Sequence, residues 1–242
     1  MRLFAIGDLH LSGNPPKKPM EVFGSRWKNH WQRIAADWKS RVSDDDVVLI
    51  AGDTSWAMHL KDAQEDLDQI RALPGRKIMI RGNHDYWWES AGKLNRMDAE
   101  NKIQYLYGST AVLGDKEIAI CGTHGWVCPG DIHYQEDRDA KPYRRELLRV
   151  ERTLQEAEAL QCQHTILLLH YPPVCDLTKP SGFTDLLEKH HVPLCVFGHL
   201  HGMQRGTMFP RRYNGTLLQL VSADYRDCKL LEIKFDGQEA LR

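Results

Sequence analysis

The 242-residue sequence predicts an α/β fold in one domain spanning residues 1–242. Two observations carry this expectation. Apolar runs of strand length, such as Leu3–Ile6 and Val47–Ala51, alternate with stretches whose apolar residues recur every three or four positions. Five of the apolar runs also end directly in a polar cluster, which is where the strands of an open α/β sheet deliver ligand-binding groups.

Taken in order, Leu3-Phe4-Ala5-Ile6 reads as a buried strand running into Gly7-Asp8-Leu9-His10, and residues 13–20 form a Pro- and Lys-rich loop. Trp27, Trp31, Ile34, Ala35 and Trp38 recur at helical spacing, predicting a helix over Arg26 to Arg41 whose tryptophans pack against a sheet. The strand Val47–Ala51 ends in Gly52-Asp53. Ala63, Leu67, Ile70 and Leu73 mark an amphipathic helix with an acidic, solvated face, stopped by Pro74-Gly75. Strand Ile78–Ile80 leads into Arg81-Gly82-Asn83-His84-Asp85, and a helix is expected around Trp88–Glu100.

Short runs at Ile103–Tyr107, Thr110–Leu113 and Glu117–Cys121, separated by turn residues, predict hairpins. Gly122-Thr123-His124-Gly125-Trp126 follows, then a polar loop to about Pro142 and a long helix carrying Leu147, Val150, Leu154, Ala157 and Leu160. Strand Thr165–Leu169 ends at His170, and strand Leu194–Phe197 ends in Gly198-His199-Leu200-His201. Leu217–Val221 and Leu230–Phe235 are further strand-like runs.

Composition narrows the function classes. Hydrophobic residues make up 42% and charged residues 27%, ordinary for a globular protein. A net charge of -1 gives no overall pull towards nucleic acid or an anionic membrane. No apolar run approaches the roughly 20 residues that span a bilayer. The six cysteines contain no C-x-x-C pair, which argues against a structural zinc site and for reduced thiols. A soluble cytoplasmic protein is expected.

Asp8, His10, Asp53, Asn83, His170, His199 and His201 offer seven oxygen or nitrogen donors and no thiolate. That exceeds the needs of one tetrahedral zinc. It suits two divalent ions of the Mn, Fe, Zn or Co type sharing a carboxylate. Such a pair, about 3.5–4 Å apart, clamps the attacking and leaving oxygens of an in-line displacement. Hydrolysis of a phosphate ester is the reaction class that calls for it.

Asp8-x-His10, Gly52-Asp53, Gly82-Asn83-His84-Asp85, His170 and Gly198-His199-x-His201 together resemble the motif set of the calcineurin-like metallophosphoesterases, in the expected order. The resemblance implies a four-layer αββα sandwich of two mixed sheets. It implies that Asp8, His10 and His201 hold one metal, that Asn83, His170 and His199 hold the other, and that Asp53 bridges them. A hydroxide shared by the metals would be the nucleophile, and His84 would protonate the leaving oxygen or steady the phosphoryl charge. Asp85 would support His84 or cap the following helix.

The protein Ser/Thr phosphatases of this superfamily carry Asp-Arg-Gly after the second block, where the arginine grips phosphate. Here Thr54-Ser55-Trp56-Ala57 follows Asp53. The chain is therefore more similar to the small bacterial phosphohydrolases and phosphodiesterases, with a phosphoprotein phosphatase as the alternative and a non-catalytic scaffold behind it. Candidate substrate contacts are Arg81, Trp56, Tyr86, His124 and Trp126, each with an ordinary packing role as its rival. Arg138, Lys141, Arg144 and Arg145 would form either a basic lid or a solvated helix face. The expected partner is a small phosphate ester, without membrane or strong nucleic-acid signals.

Overall fold

The computed structural model describes residues 1–98, 100, 102–175, 178–236 and 239–241. In chain order the strands are β1 (Leu3–Ile6), β2 (Val47–Ile50), β3 (Arg76–Ile80), β4 (Ile103–Leu106), β5 (Ser109–Leu113), β6 (Ile118–Gly122), β7 (His164–Leu169), β8 (Leu194–Phe197), β9 (Arg211–Tyr213), β10 (Thr216–Leu220), β11 (Leu231–Asp236) and β12 (Glu239–Leu241). The helices are α1 (His30–Arg41), α2 (Leu60–Arg71), α3 (Ala91–Met97), α4 (Glu136–Leu160) and α5 (Gly182–Lys189).

The strands form two six-stranded mixed sheets, ordered β12-β11-β1-β2-β3-β4 and β5-β6-β7-β8-β10-β9. Successive side chains on a strand point to opposite faces, and the apolar runs are buried on both. Leu3 and Ala5 of β1 join Ile120 of β6 and Leu168 of β7 between the sheets. Phe4 and Ile6 face outward, where Ile34 and Trp38 of α1 and Leu67 and Ile70 of α2 cover them. On the far side, Val150 and Leu154 of α4 and Phe183 and Leu187 of α5 pack on Leu167, Leu169 and Phe197. The layers are therefore helix, sheet, sheet, helix.

In the first sheet β1, β2, β3 and β4 run parallel, and in the second β6, β7, β8 and β10 do so. Their carboxyl ends share an edge. There Gly7 N–H donates to Val221 O (2.8 Å) and Ala223 N–H donates to Gly7 O (3.0 Å), stitching the two sheets together.

Several expectations are corrected. The helix expected from Arg26 begins only at His30, because Asn29 adopts a left-handed conformation (φ 49°) and Trp27 lies in a separate 3-10 turn, Ser25–Trp27. The helix around Trp88–Glu100 is shorter, Ala91–Met97, with the Ser90 hydroxyl accepting from Lys93 N–H at its start; Ala99 of that stretch lies outside the described residues. Strand β4 does not pair with β5; it lies parallel to β3, and the chain changes sheets before the β5–β6 hairpin. The polar loop ends well before Pro142, since α4 begins at Glu136 with that proline inside it. Buried Asp139 accepts from Gln135 N–H (2.8 Å), Trp126 Nε1–H (3.1 Å) and Arg138. This anchoring, with acidic residues in the first turn, outweighs the usual cost of an interior proline. Helix α5 was not expected; in the structure it starts on a Ser181–Thr184 capping box.

Candidate metal centre

Each strand end delivers its polar cluster to the shared edge: β1 supplies Asp8 and His10, β2 Asp53, β3 Asn83, β7 His170, and β8 His199 and His201. The backbone bends sharply to do so. Asp8 (φ 58°), His10 (46°), Asp53 (51°) and His199 (70°) all have left-handed conformations. For non-glycine residues these are uncommon and cluster at functional sites. Two glycines explain how the carboxylates sit so deep. A Cβ at Gly82 would fall 2.1 Å from Asp53 Oδ1, and one at Gly198 would fall 2.5 Å from Asp8 Oδ2. Only hydrogen fits at either place.

The donors gather in two groups. In one, His170 Nε2 lies 2.7 Å and His199 Nδ1 2.9 Å from Asn83 Oδ1. His170 Nδ1 is 2.9 Å from the Ala51 carbonyl, which can only accept, so the ring proton is on Nδ1. The lone pair on His170 Nε2 therefore faces the amide oxygen, acceptor against acceptor. A cation between them resolves this; a proton on neutral His170 cannot.

In the other group His10 Nε2 and His201 Nε2 face each other at 3.4 Å, and Asp8 Oδ1 is 3.6 Å from His201 Nε2. Ligand atoms of Asp8, His10 and His201 lie within 4.8 Å of one another, as do those of Asp8, Asp53 and His170. The two Asp53 oxygens divide between the groups: Oδ2 is 3.8 Å from His10 Nε2, and Oδ1 is 3.6 Å from His170 Nε2. The oxygen-and-imidazole donor set and the carboxylate turned to both sides fit a pair of divalent cations.

Burial sets the electrostatics. It pushes the Asp8 carboxyl up to about 7, against the opposing His201 charge, and Asp53 up to about 6, against the hydrogen bond from His84 N–H. It pushes His170 down to about 3 and His199 down to about 2, and it holds His10 well below its usual value. His201 differs. Burial pushes it down, but its hydrogen bond to Asp224 and the charges of Asp8, Asp224 and Asp53 raise it to about 9. Without metal, a protonated His201 partly compensates the two buried carboxylates.

His84 is partly exposed, and its backbone N–H donates to Asp53 Oδ1 (2.8 Å). Its ring packs against Trp56 (centroids 4.5 Å) and lies 5.8 Å from the His10 ring. Asp85 is fully buried and accepts from Thr54 N–H (2.8 Å), Ser55 N–H (3.2 Å), Gly82 N–H (2.7 Å) and Trp87 Nε1–H (2.9 Å). Among the described residues, these bonds tie the loop after β2 to the loop after β3. They support the backbone carrying Asp53 and Asn83 rather than the His84 ring, and they cap no helix.

Of the candidate substrate contacts, Trp56 stacks on His10 (4.8 Å) and Tyr86 stands half-exposed, edge-on to His84. Arg81 has a buried Nε without a hydrogen-bond partner, and its charge acts on Asp53. His124 is a backing residue: its ring lies parallel to His170 at 5.8 Å, and its carbonyl accepts from His170 N–H. Trp126 lines a cavity of about 360 Å³ beside His199, together with Arg138, His133 and Tyr171. Lys141, Arg144 and Arg145 lie exposed on α4.

Sequence reasoning missed Asp224, whose Oδ1 accepts from His201 Nδ1 (3.0 Å) and whose Oδ2 accepts from Gly202 N–H (2.8 Å). Its signal was available: it follows the apolar run of β10 as the other acids follow theirs. Trp27 is in the core as expected, and it is also edge-on to His10 (5.8 Å) and His201 (5.5 Å) and lines a larger cavity of about 590 Å³ on that side.

A family model described as calcineurin-like phosphoesterase matches residues 1–203. No curated protein matches the sequence with significance. Among solved structures, the protein TT1561 of Thermus thermophilus is similar with a TM-score of 0.55 at 10% identity, covering 96% of this chain and 97% of that one. The protein of unknown function AQ665 from Aquifex aeolicus is similar with a TM-score of 0.51 at 17% identity, covering 96% and 95%. At these identities the likeness speaks for the fold alone.

Proposed function

We propose, for a chain that belongs to the calcineurin-like phosphoesterase family, that it hydrolyses small phosphate esters, diesters or monoesters, with two divalent cations at the shared strand edge. The observation that carries this is the lone-pair conflict between His170 Nε2 and Asn83 Oδ1 at 2.7 Å, beside a carboxylate turned to both donor groups. Asp8, His10 and His201 would hold one ion, Asn83, His170 and His199 the other, and Asp53 both. When bound, ions of the Mn, Fe, Zn or Co type supply Lewis-acid neutralisation of phosphoryl charge and acidify water.

The chain's own residues do the rest. His84, pinned to Asp53 through its backbone N–H, projects its ring over the cavity and donates a proton to the leaving oxygen. Arg81 adds positive charge behind Asp53. The short Thr54-Ser55-Trp56 segment, which stands where the protein phosphatases place an arginine, favours small esters over phosphoproteins. Strands β9 to β12 lie beyond the family match yet complete both sheets, which supports reading residues 1–242 as one working domain. No described helix is long and apolar enough to cross a membrane. The six cysteines form no C-x-x-C pair, which supports a reducing cytoplasmic setting.

The test is direct. Purified protein loaded with Mn²⁺ should hydrolyse p-nitrophenyl phosphate or bis-p-nitrophenyl phosphate, and chelation should abolish the activity. Turnover of neither ester, with Mn²⁺ bound, would overturn the reading.

A further inference from the structure

Cavities beside His199 and beside His201 border the donor cluster, and their linings differ. The one beside His199 is lined by Arg138, His133, Asp131 and Asp139 as well as Trp126 and Tyr171. The one beside His201, about 590 Å³, has walls of Met20, Phe23, Trp27 and Trp56, with His84 and His201 at its inner end. That volume lies within the usual range of small-molecule sites. Met20 and Trp27 belong to the outer core and Trp56 packs against it, but Phe23 does not. Phe23 is 68% exposed, held on the 3-10 turn Met20–Phe23 at the cavity edge, and a large apolar ring left open beside a polar centre invites a ligand to cover it.

Two charged side chains also line this cavity. Its guanidinium, that of Arg26, donates to Met203 O (2.6 Å). Its carboxylate, Asp224, sits beside His201. Arg26 is exposed, and Asp224 is engaged by His201 Nδ1 and Gly202 N–H. Since His84 is the proposed proton donor to the leaving oxygen and lines this cavity rather than the other, the leaving arm of the ester must lie here.

Resting on the phosphoesterase reading above, we infer that the substrate's leaving arm carries an aromatic group, bound between Phe23, Trp27 and Trp56. The reaction balances in the ordinary way: water adds to phosphorus, the bond from phosphorus to the arm's oxygen breaks, and that oxygen takes a proton from His84. Phe23 sets specificity and touches the arm, not the phosphoryl group.

The test compares phenyl-, cyclohexyl- and methylphosphonate, which cannot be hydrolysed at this bond, by titration against Mn²⁺-loaded protein with tryptophan fluorescence as the readout. Trp27 and Trp56 report on the cavity directly. Phenylphosphonate should bind at least about tenfold tighter than methylphosphonate, as expected for burying several apolar carbons. It should bind about three- to tenfold tighter than cyclohexylphosphonate, the margin aromatic packing adds beyond area. Phe23→Ala, at an exposed position where folding is not at stake, should shrink the phenyl-to-methyl ratio at least threefold, and Phe23→Tyr should restore it. Equal binding of all three, a cyclohexyl arm bound as tightly as phenyl, or an unchanged ratio in Phe23→Ala would each overturn the inference. Hydrolysis of p-nitrophenyl phosphate and of bis-p-nitrophenyl phosphate is measured on the same preparation. Hydrolysis without phenyl preference defeats the aromatic arm alone; phenyl preference without hydrolysis defeats the phosphoesterase reading and leaves an aryl-binding site.

Discussion

Each of the two donor groups joins two histidines to one oxygen donor on the same sheet edge, the Asn83 amide in one and the Asp8 carboxylate in the other, and the two are braced differently. In the group on Asn83, His170 is fully buried, backed by the His124 ring, and held by a backbone carbonyl, so it stays neutral. In the group on Asp8, His201 is partly exposed and held by the Asp224 carboxylate, so it is cationic until a metal displaces the proton. A carbonyl fixes a tautomer; a carboxylate fixes it and also raises the ring's basicity. One half is thus ready for a cation, and the other must exchange a proton for one.

Removing His84 probes what the halves share. His84→Ala should lower turnover by about 10²–10⁴-fold, the range for a positioned general acid, while elemental analysis still finds two ions. Loss of either ion would mean that the ring, and not only its backbone N–H, supports the centre. Asp224→Asn should be smaller and one-sided. Losing a carboxylate partner of a ligating histidine typically costs about 10–100-fold in metal affinity, and only the weaker of two binding steps should move. Equal weakening of both steps would erase the distinction between the halves.

Proton release measures the difference without mutation. With His201 raised to about 9 and Asp8 to about 7, metal uptake on that side should expel protons at pH 7, and its apparent affinity should climb as pH rises towards 9. Uptake by Asn83, His170 and His199 should be nearly independent of pH there, since burial keeps both rings neutral. Calorimetry in buffers of different ionisation enthalpy separates the two steps.

The smallest effect lies outside the centre. Arg138 holds the Asp139 carboxyl down at about 2, below the unfolded value of about 3.9. A depressed carboxyl stabilises the fold above the unfolded value and loses that contribution as pH falls from about 4 towards 2. Asp139→Asn should therefore cost about 1–3 kcal/mol at pH 7, measured by urea unfolding, and the gap to the parent protein should close in acid.

Much of this was legible in the residues. Strand runs with both faces apolar, as in Leu3–Ile6 and Val47–Ile50, mark sheets covered twice, and the polar groups following them mark the site edge. What stayed hidden depends on contacts distant in sequence. Asp139 anchors a helix start that local composition reads as loop, because its partners Trp126 and Gln135 come from a preceding segment. Trp27 shares the spacing of Trp31 and Trp38 and is buried in the same core cluster as Trp38, but the left-handed Asn29 breaks the helix after it, and it also lines the cavity. Asp85 sits beside His84 in sequence but spends its hydrogen bonds on Thr54, Ser55, Gly82 and Trp87. Adjacency in a motif did not mean contact.

The central claim is that Asp53 serves both halves at once, one oxygen to each. Electron paramagnetic resonance of the protein titrated with Mn²⁺ tests it most directly. Two ions per chain with an exchange-coupled spectrum are expected, and the coupling should vanish in Asp53→Ala. A single uncoupled six-line Mn²⁺ signal at saturation would contradict the account.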